Sequence, residues 1–470
     1  MPKPRYHINK LWLEAGGQYY AYSVCLSKAD VLELSGEWPQ AEELFRKNLE
    51  FSKQAGAKSQ TADSEIKLFR IMRYMGKAQD QLAPLNDALR LYTELDDQTG
   101  INQALNNIGL VHAFQGKQQK AEDCFNDLIE RSRRLGDSKH LISGLGNLSQ
   151  LHINRGEYGQ ALDCLQQCCE ASLKKNDMEL LIISYGTIGN VYFFQDKLDL
   201  SYQYYKKQLE LSQNLGDLAN KSVAVGNIGN ILYRQNKLKE AVECYQSKLE
   251  ISQKLDYKTG ISQAYGNLGI VYFEQGQFSK ALECFGKQLR ISEDAGDPGG
   301  REGGYCGLGA VYAKTGDYLK ARECFLTAVE IDLEAGFTNE LALNCYQLAE
   351  VCLKTGESAK ALEYLEKAKL SARENENEDA MAKAGILEIK LTAKNDLCRA
   401  EKMLLDILNK QPGKIWEALV YYELFGITGN NEQRDRAISH LRELYDQTFD
   451  HDYKRMMTEL EKTVFREKKE

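Results

Sequence analysis

Amide side chains recur at a fixed spacing and are the best candidates for chemistry in this chain. Asn227, Asn230 and Arg234 follow at i, i+3 and i+7, so on a helix they lie on one face. An amide both donates and accepts hydrogen bonds, so a ladder of amides can hold the main chain of an extended peptide. The same side chains would also fit hydrogen bonds between neighbouring helices, and the two roles are compatible. Further asparagines of this stripe are Asn107, Asn147, Asn190 and Asn267.

A second recurring pattern pairs a glycine with an aromatic residue seven positions later. Glycine inside a helix costs about 1 kcal/mol relative to alanine, so its repetition indicates a packing or access requirement. Either each ring leans over its glycine to fill a gap beside a neighbouring helix, or the pair forms an apolar socket for a ligand side chain. The pairs are Gly186 with Phe193, Gly226 with Tyr233, and Gly266 with Phe273.

The polar stripe changes character along the chain. Lys314 and Lys354 stand in the column of Arg234, whereas the same stripe earlier carries Leu110, Phe114 and Phe194. This gradient predicts a ligand that is apolar at one end and acidic at the other.

Signatures of catalysis are absent from the sequence. There is no phosphate-binding loop, no HExxH or GxSxG motif and no Cys/His spacing typical of a metal site. Five of the twelve cysteines share one repeat column and are interpreted as small buried hydrophobes, a usage that fits a reducing compartment. We therefore predict no catalytic residue, no metal, no cofactor and no enzymatic activity. The cysteine column is Cys124, Cys164, Cys244, Cys284 and Cys324.

The elements that position these residues repeat every forty residues. Within one unit Val225, Ile228 and Gly229 lie on one apolar helix face, and after Asn236 a second helix carries Ala241 and Tyr245. Each unit is thus predicted to be a hairpin of helix A and helix B, stabilised by stacking on its neighbours. Small residues mark close helix approach, and between units a glycine followed by aspartate suits a helix end and the next N-cap. These pairs are Gly136-Asp137, Gly216-Asp217 and Gly296-Asp297.

These columns resemble the tetratricopeptide repeat, whose L-G-x-x-Y and A-x-x-x-F pattern is most complete in Leu268, Gly269, Tyr272, Ala281 and Phe285. The resemblance implies an all-α fold, a right-handed α-solenoid of tandem hairpins whose A helices line a concave groove. The length of the unit is similar to that of Partner-of-Inscuteable-type adaptors, in which such asparagines hold a peptide backbone. It is also similar to that of arrays at the C-terminal end of bacterial signalling proteins.

The predicted organisation is an irregular lead-in over 1–17, nine repeats over 18–378, two degenerate hairpins over 379–446, and a capping helix with tail over 447–470. Repeat two is expected to deviate because Pro84 falls inside its B helix, where proline kinks the chain. The glycine-rich segment 296–304 is expected to be a weak helix start.

Composition narrows the class of partner. The net charge of −8 disfavours nucleic acid, and no apolar run is long enough to span a membrane. We expect a cytoplasmic protein–protein interaction scaffold that binds a protein or extended peptide, with self-association possible through the terminal repeats. The alternative is the regulatory, partner-sensing region of a multidomain signalling enzyme (a cyclase, kinase or ATPase) whose catalytic domain lies elsewhere.

Overall fold

A computed structural model describes residues 26–33, 37–75, 77–393, 396–410, 413–448 and 451–467. The predicted lead-in over 1–17 lies outside them. Every regular element in these ranges is a helix and none is a strand, which confirms the all-α prediction. None of the helices in these ranges is long and apolar enough to cross a bilayer. The chain divides into two compact units, Met1–Gln195 and Asp196–Glu470.

The first unit alternates B and A helices, each packed on the next along the chain. Residues 26–33 are helical as well. The bounds are α1 (Trp38–Gln54), α2 (Lys58–Tyr74), a 3-10 turn (Ala78–Asp80), α3 (Leu82–Glu94), α4 (Gln98–Phe114), α5 (Gln118–Leu135), α6 (Ser138–Asn154), α7 (Tyr158–Lys175) and α8 (Met178–Phe194).

The second unit continues the alternation and ends in five helices after the last regular hairpin. Its bounds are α9 (Leu198–Leu215), α10 (Leu218–Arg234), α11 (Leu238–Lys254), α12 (Lys258–Glu274), α13 (Phe278–Ala295), α14 (Pro298–Thr315), α15 (Tyr318–Ala335), α16 (Thr338–Lys354), α17 (Ser358–Glu374), α18 (Glu378–Thr392), α19 (Leu397–Leu408), α20 (Lys414–Thr428), α21 (Asn431–Thr448) and α22 (His451–Glu467).

Helices of the A type also contact one another directly. In the first unit α4 packs on α2 and α6, and in the second α12 packs on α10 and α14, which in turn packs on α16. We call the surface of α2, α4 and α6, and separately that of α10, α12, α14 and α16, the A-helix face of its unit.

Aromatic rings of B helices fill the space left by the glycine column, as the small residues predicted. A Cβ added at Gly269 would lie 2.7 Å from Cε1 of Phe285, and one at Gly229 would lie 2.7 Å from Cε1 of Tyr245. Phe285 also lies against Gly307 of the following A helix, so its ring is wedged between two A helices. Any side chain at these glycines would displace a buried ring.

The junctions between hairpins have the predicted capping chemistry. Gly216 takes a left-handed conformation with φ of 69° at the end of α9. Asp217 then accepts a hydrogen bond from the backbone N–H of Asn220 at 3.0 Å, which satisfies one of the unpaired donors at the start of α10. Asp137 and Asp297 cap α6 and α14 in the same way.

The predicted kink at Pro84 is wrong. A 3-10 turn over Ala78–Asp80 delays the start of the B helix, so that α3 begins at Leu82 and Pro84 is its third residue. The first N–H groups of a helix have no intrahelical acceptor, and proline is therefore tolerated there. Repeat two differs from its neighbours instead by a B helix of 13 residues, whereas α5 has 18.

In two successive hairpins of the second unit, a buried polar pair joins helix A to helix B at the open end of the hairpin. Ser222 of α10 and Ser252 of α11 have their hydroxyls 3.0 Å apart, and Ser262 and Ser292 repeat the contact at 2.6 Å one hairpin later. In the following hairpin the equivalent positions are Glu302 of α14 and Asp332 of α15. Asn344 of α16 joins these two carboxyls, donating from Nδ2 to Glu302 at 2.7 Å and to Asp332 at 2.9 Å.

The last helices share one core. Leu404, Leu424, Leu441 and Leu460, one from each of α19 to α22, are buried in a single cluster to which α18 also contributes. The Tyr453 hydroxyl of α22 donates to a carboxylate of α18 at 2.6 Å, so the final helix folds back on the segment that precedes α19.

Candidate functional site

Asn230 is the centre of a hydrogen-bond group on the A-helix face of the second unit. Its Oδ1 accepts from the hydroxyl of the buried Tyr245 at 2.8 Å and from Nδ2 of Asn267 on α12 at 3.5 Å. The two donors fix the orientation of the Asn230 amide. Among the described residues no acceptor lies against its own Nδ2, which leaves that group available to a ligand.

A similar bond joins A helices of the first unit. Nδ2 of Asn147 on α6 donates to Oδ1 of Asn106 on α4 at 2.8 Å. Asn106 is not in the predicted stripe, whereas its partly buried neighbour Asn107 is. The bonds of Asn147 and Asn267 are of the inter-helix kind that the sequence left open beside ligand binding.

The other predicted side chains occupy varied environments. Asn227 is partly buried on α10 and Asn190 is exposed near the end of α8. Arg234 forms an ion pair with Asp196 at 2.9 Å. Burial raises the pKa of Asp196, although the Arg234 guanidinium acts in the opposite direction.

Lys314 and Lys354 are exposed at the ends of α14 and α16, which suits them to long-range attraction of an acidic ligand. The rings of Phe193, Tyr233 and Phe273 are partly buried.

In the two glycine–aromatic pairs that the structure tests, the paired ring does not fill the space over its glycine, and the apolar socket stays a prediction. The space over Gly226 is occupied by Lys248 of α11, and that over Gly266 by Gln288 of α13. Phe273 instead packs against Phe278, with ring centroids 5.9 Å apart. Spacing along one helix could not predict that a long side chain from another helix fills the gap.

Lys248 is therefore a residue that sequence reasoning missed. Its Nζ donates to Oε1 of Gln263 at 3.0 Å, and burial lowers its pKa. The available signal was its column, in which the structure buries Gln208 and Gln288. A lysine in a column of otherwise interior residues indicates a cation that reaches into the packed helices.

Large apolar side chains are exposed on the A helices. In the second unit Val223, Ile270 and Leu343 are 45%, 43% and 47% exposed, and in the first unit Phe114 is 44% exposed. Exposed apolar groups beside oriented amides suit a surface that contacts both the side chains and the main chain of a ligand.

The carboxyls joined by Asn344 have strongly shifted proton affinities. Burial raises the pKa of Glu302 to about 7 and that of Asp332 to about 6, and the amide donor of Asn344 acts in the opposite direction. Glu340 adds like-charge repulsion to both. This cluster lies at a hairpin end and its chemistry is the binding of protons.

The most buried thiols of the cysteine column are unreactive. Burial raises the pKa of Cys164 and Cys284 to about 11, so both are protonated at neutral pH and are poor nucleophiles. Across the described ranges no group of three or more His, Cys, Asp and Glu side chains is placed to hold a metal ion.

Tandem A/B hairpins with adjoining A helices define a helical-repeat protein. The chain belongs to the tetratricopeptide repeat family: the family model matches residues 100–174, 180–254, 221–294 and 303–373, more than half of the sequence. No curated protein matches the chain.

Two solved structures share the fold at low sequence identity. A Rap protein complexed with Competence and Sporulation Factor is 17% identical, with 78% of this chain and 99% of that chain covered and a TM-score of 0.50. The apo form of the quorum sensor NprR from B. thuringiensis is 16% identical, with 79% and 99% covered and a TM-score of 0.50.

Proposed function

We propose that this protein is a non-catalytic interaction scaffold that binds an extended peptide or protein segment along its A-helix face. The observation that carries the proposal is the Asn230 amide. Its oxygen is held by Tyr245 and Asn267 while its Nδ2 is unengaged among the described residues. A pre-oriented amide donor can bind a peptide carbonyl without a further loss of side-chain conformational entropy.

Two further observations support the proposal. Exposed Val223 and Ile270 lie on the same A helices as Asn230 and Asn267, so apolar ligand side chains would find partners beside the amides. The structurally similar Rap protein was solved with Competence and Sporulation Factor, which supports ligand binding by this fold.

The experiment is a binding measurement with fluorescent random-sequence peptides selected on the wild-type protein. Each hydrogen bond to a neutral partner contributes about 0.5–1.5 kcal/mol, so Asn227→Ala combined with Asn230→Ala should weaken binding about tenfold. Gln246→Ala is the matched control, because it removes an exposed amide from the B helix α11 and should bind as the wild type does. Wild-type affinity in the folded double variant would refute the proposal.

A further inference from the structure

A polar cavity of about 260 Å³ lies in the first unit, between the A helix α2 and the B helices α1 and α3. Thr61 and Glu65 line it from α2, and Asp87 and Arg90 line it from α3. The other lining residues are Lys53, Gly56, Lys58 and Leu91. The cavity is smaller than the sites that hold drug-sized ligands, so it suits a small molecule.

The sequence of α2 accounts for the polar wall of this cavity. Thr61 and Glu65 occupy the positions that Ile101 and Leu105 hold forty residues later on α4. Ile101 and Leu105 both pack in a hydrophobic core. In α2 the same two positions carry a hydroxyl and a carboxyl group, and the cavity therefore lies where the repeat pattern calls for apolar packing.

Glu65 is a buried carboxylate with an unused oxygen. It is 2% exposed, and its Oε1 forms an ion pair with Nζ of Lys53 at 3.0 Å. Its Oε2 is buried and accepts no hydrogen bond from any residue that the structure describes. Burial raises the pKa of Glu65, and the Lys53 ammonium acts in the opposite direction. A buried acceptor without a donor is unfavourable, so a ligand N–H group at Oε2 would be stabilised.

A second carboxylate lines the same cavity. Asp87 lies close enough to Glu65 to raise its pKa further by like-charge repulsion. The partner of Asp87 is Arg90, whose Nη2 is 3.8 Å from Oδ1, too far for a direct hydrogen bond. A cation placed between Glu65 and Asp87 would relieve the repulsion and gain attraction from both.

The cationic side of the cavity has donors to spare. Glu94 accepts from Nζ of Lys58 and from Nη1 of Arg90, at 2.8 Å each. An ammonium has three donors and a guanidinium five, so one carboxylate leaves most of them for an anionic group. The lining holds three cations and two carboxylates, and Glu94 makes the charges equal. A ligand that carries both charges therefore preserves the balance, whereas a simple cation or anion would disturb it.

We propose that this cavity binds a small zwitterion of the amino-acid class. The ammonium group of the ligand donates to Oε2 of Glu65 and faces Asp87. Its carboxylate accepts from Lys58 and Arg90. The Lys53 ammonium shifts to admit the ligand, which its half-exposed, flexible side chain permits. The cavity lies in the first unit, whereas the amide that carries the proposed function lies in the second, so the inference is independent of peptide binding.

The test is isothermal titration calorimetry of the full chain with each proteinogenic amino acid, at up to about 10 mM so that millimolar dissociation constants are detected. The amino acid that binds is then compared with two analogues. In the deaminated analogue a hydrogen replaces the ammonium group, and in the amidated analogue a carboxamide replaces the carboxylate.

We expect each analogue to bind the wild-type protein at least about tenfold more weakly, because each loses a hydrogen-bonded charge. Glu65→Gln should weaken binding of the amino acid by about the same factor and bind the deaminated analogue as the wild type does, a coupling that a double-mutant cycle isolates. Asp87→Asn, at an exposed position, should weaken binding of the amino acid about threefold. Glu130→Gln is the matched control, because its carboxylate is 74% exposed on α5 and lies outside the cavity, and it should bind as the wild type does.

The inference is overturned if no amino acid binds, or if either analogue binds as tightly as the amino acid. It is also overturned if a folded Glu65→Gln protein binds the amino acid with wild-type affinity. Should Glu65→Gln fail to fold, wild-type affinity in Asp87→Asn has the same meaning. None of these results bears on the proposed function, which is tested with peptides and with substitutions in the second unit.

Discussion

Glu302→Gln is expected to stabilise the protein at neutral pH and to have little effect in mild acid. Glu302 accepts a hydrogen bond from Asn344 and lies near the carboxyls of Asp332 and Glu340. Glutamine keeps an oxygen for Asn344 and resembles the protonated acid in shape. The substitution therefore removes the ability to ionise and preserves the contact.

The magnitude follows from the shift of the Glu302 pKa from 4.5 to about 7. As the pH rises, the unfolded chain releases this proton near its ordinary pKa while the folded chain retains it. The free energy of unfolding consequently falls between these two values and levels off above the higher one. At 1.36 kcal/mol per pKa unit, the free energy of unfolding falls by about 3 kcal/mol. The glutamine variant does not lose this stability because its side chain does not ionise.

Urea unfolding of both proteins at about pH 5 and about pH 8 measures the difference. Repeat arrays need not unfold in one step, so hydrogen exchange across α14 to α16 should locate the gain. Glu330→Gln, at an exposed position on α15, controls for the loss of a carboxyl as such. A stability difference between Glu302→Gln and wild type that is the same at both pH values would refute the reasoning.

Two further predictions concern packing and capping. Gly269→Ala should lower the free energy of unfolding by about 1–3 kcal/mol because its Cβ would collide with the buried Phe285 ring, whereas Gly226→Ala meets only the flexible Lys248 and should cost less. Thermal melting of the two variants side by side makes the comparison, and equal losses would contradict it. Asp217→Ala should cost about 1 kcal/mol by removing the cap on α10, while Asp217→Asn retains an acceptor; equal unfolding midpoints for the two would show that the cap contributes nothing.

The regular parts of the fold were predictable because their determinants are local. Gly216 and Asp217 are adjacent, and a left-handed turn followed by an N-cap is specified by those two residues. Pro84 was misjudged because the start of α3 depends on the preceding 3-10 turn over Ala78–Asp80. Repeat alignment assumes equal helix starts and cannot reveal such a delay.

The candidate site was less predictable because its contacts cross between helices. The spacing of Asn227 and Asn230 placed both on one helix, yet it could not show that Tyr245 and Asn267 orient only Asn230. Lys248 escaped prediction for the same reason, since it lies on a B helix and reaches α12 through a gap in α10. Whether the amides bind a peptide stays a prediction.

The pair of Glu302 and Asp332 makes one hairpin unlike the two before it, where serine pairs hold the equivalent positions. Serine hydroxyls do not titrate in the physiological range, so those pairs add no dependence on pH, whereas a rise in pH introduces charge at Glu302 and Asp332. Each hairpin is stabilised mainly by its neighbours, and the damage therefore stays local. We expect the second unit to open first between α14 and α16 as the pH rises through the range of about 6 to 7 in which Asp332 and Glu302 ionise.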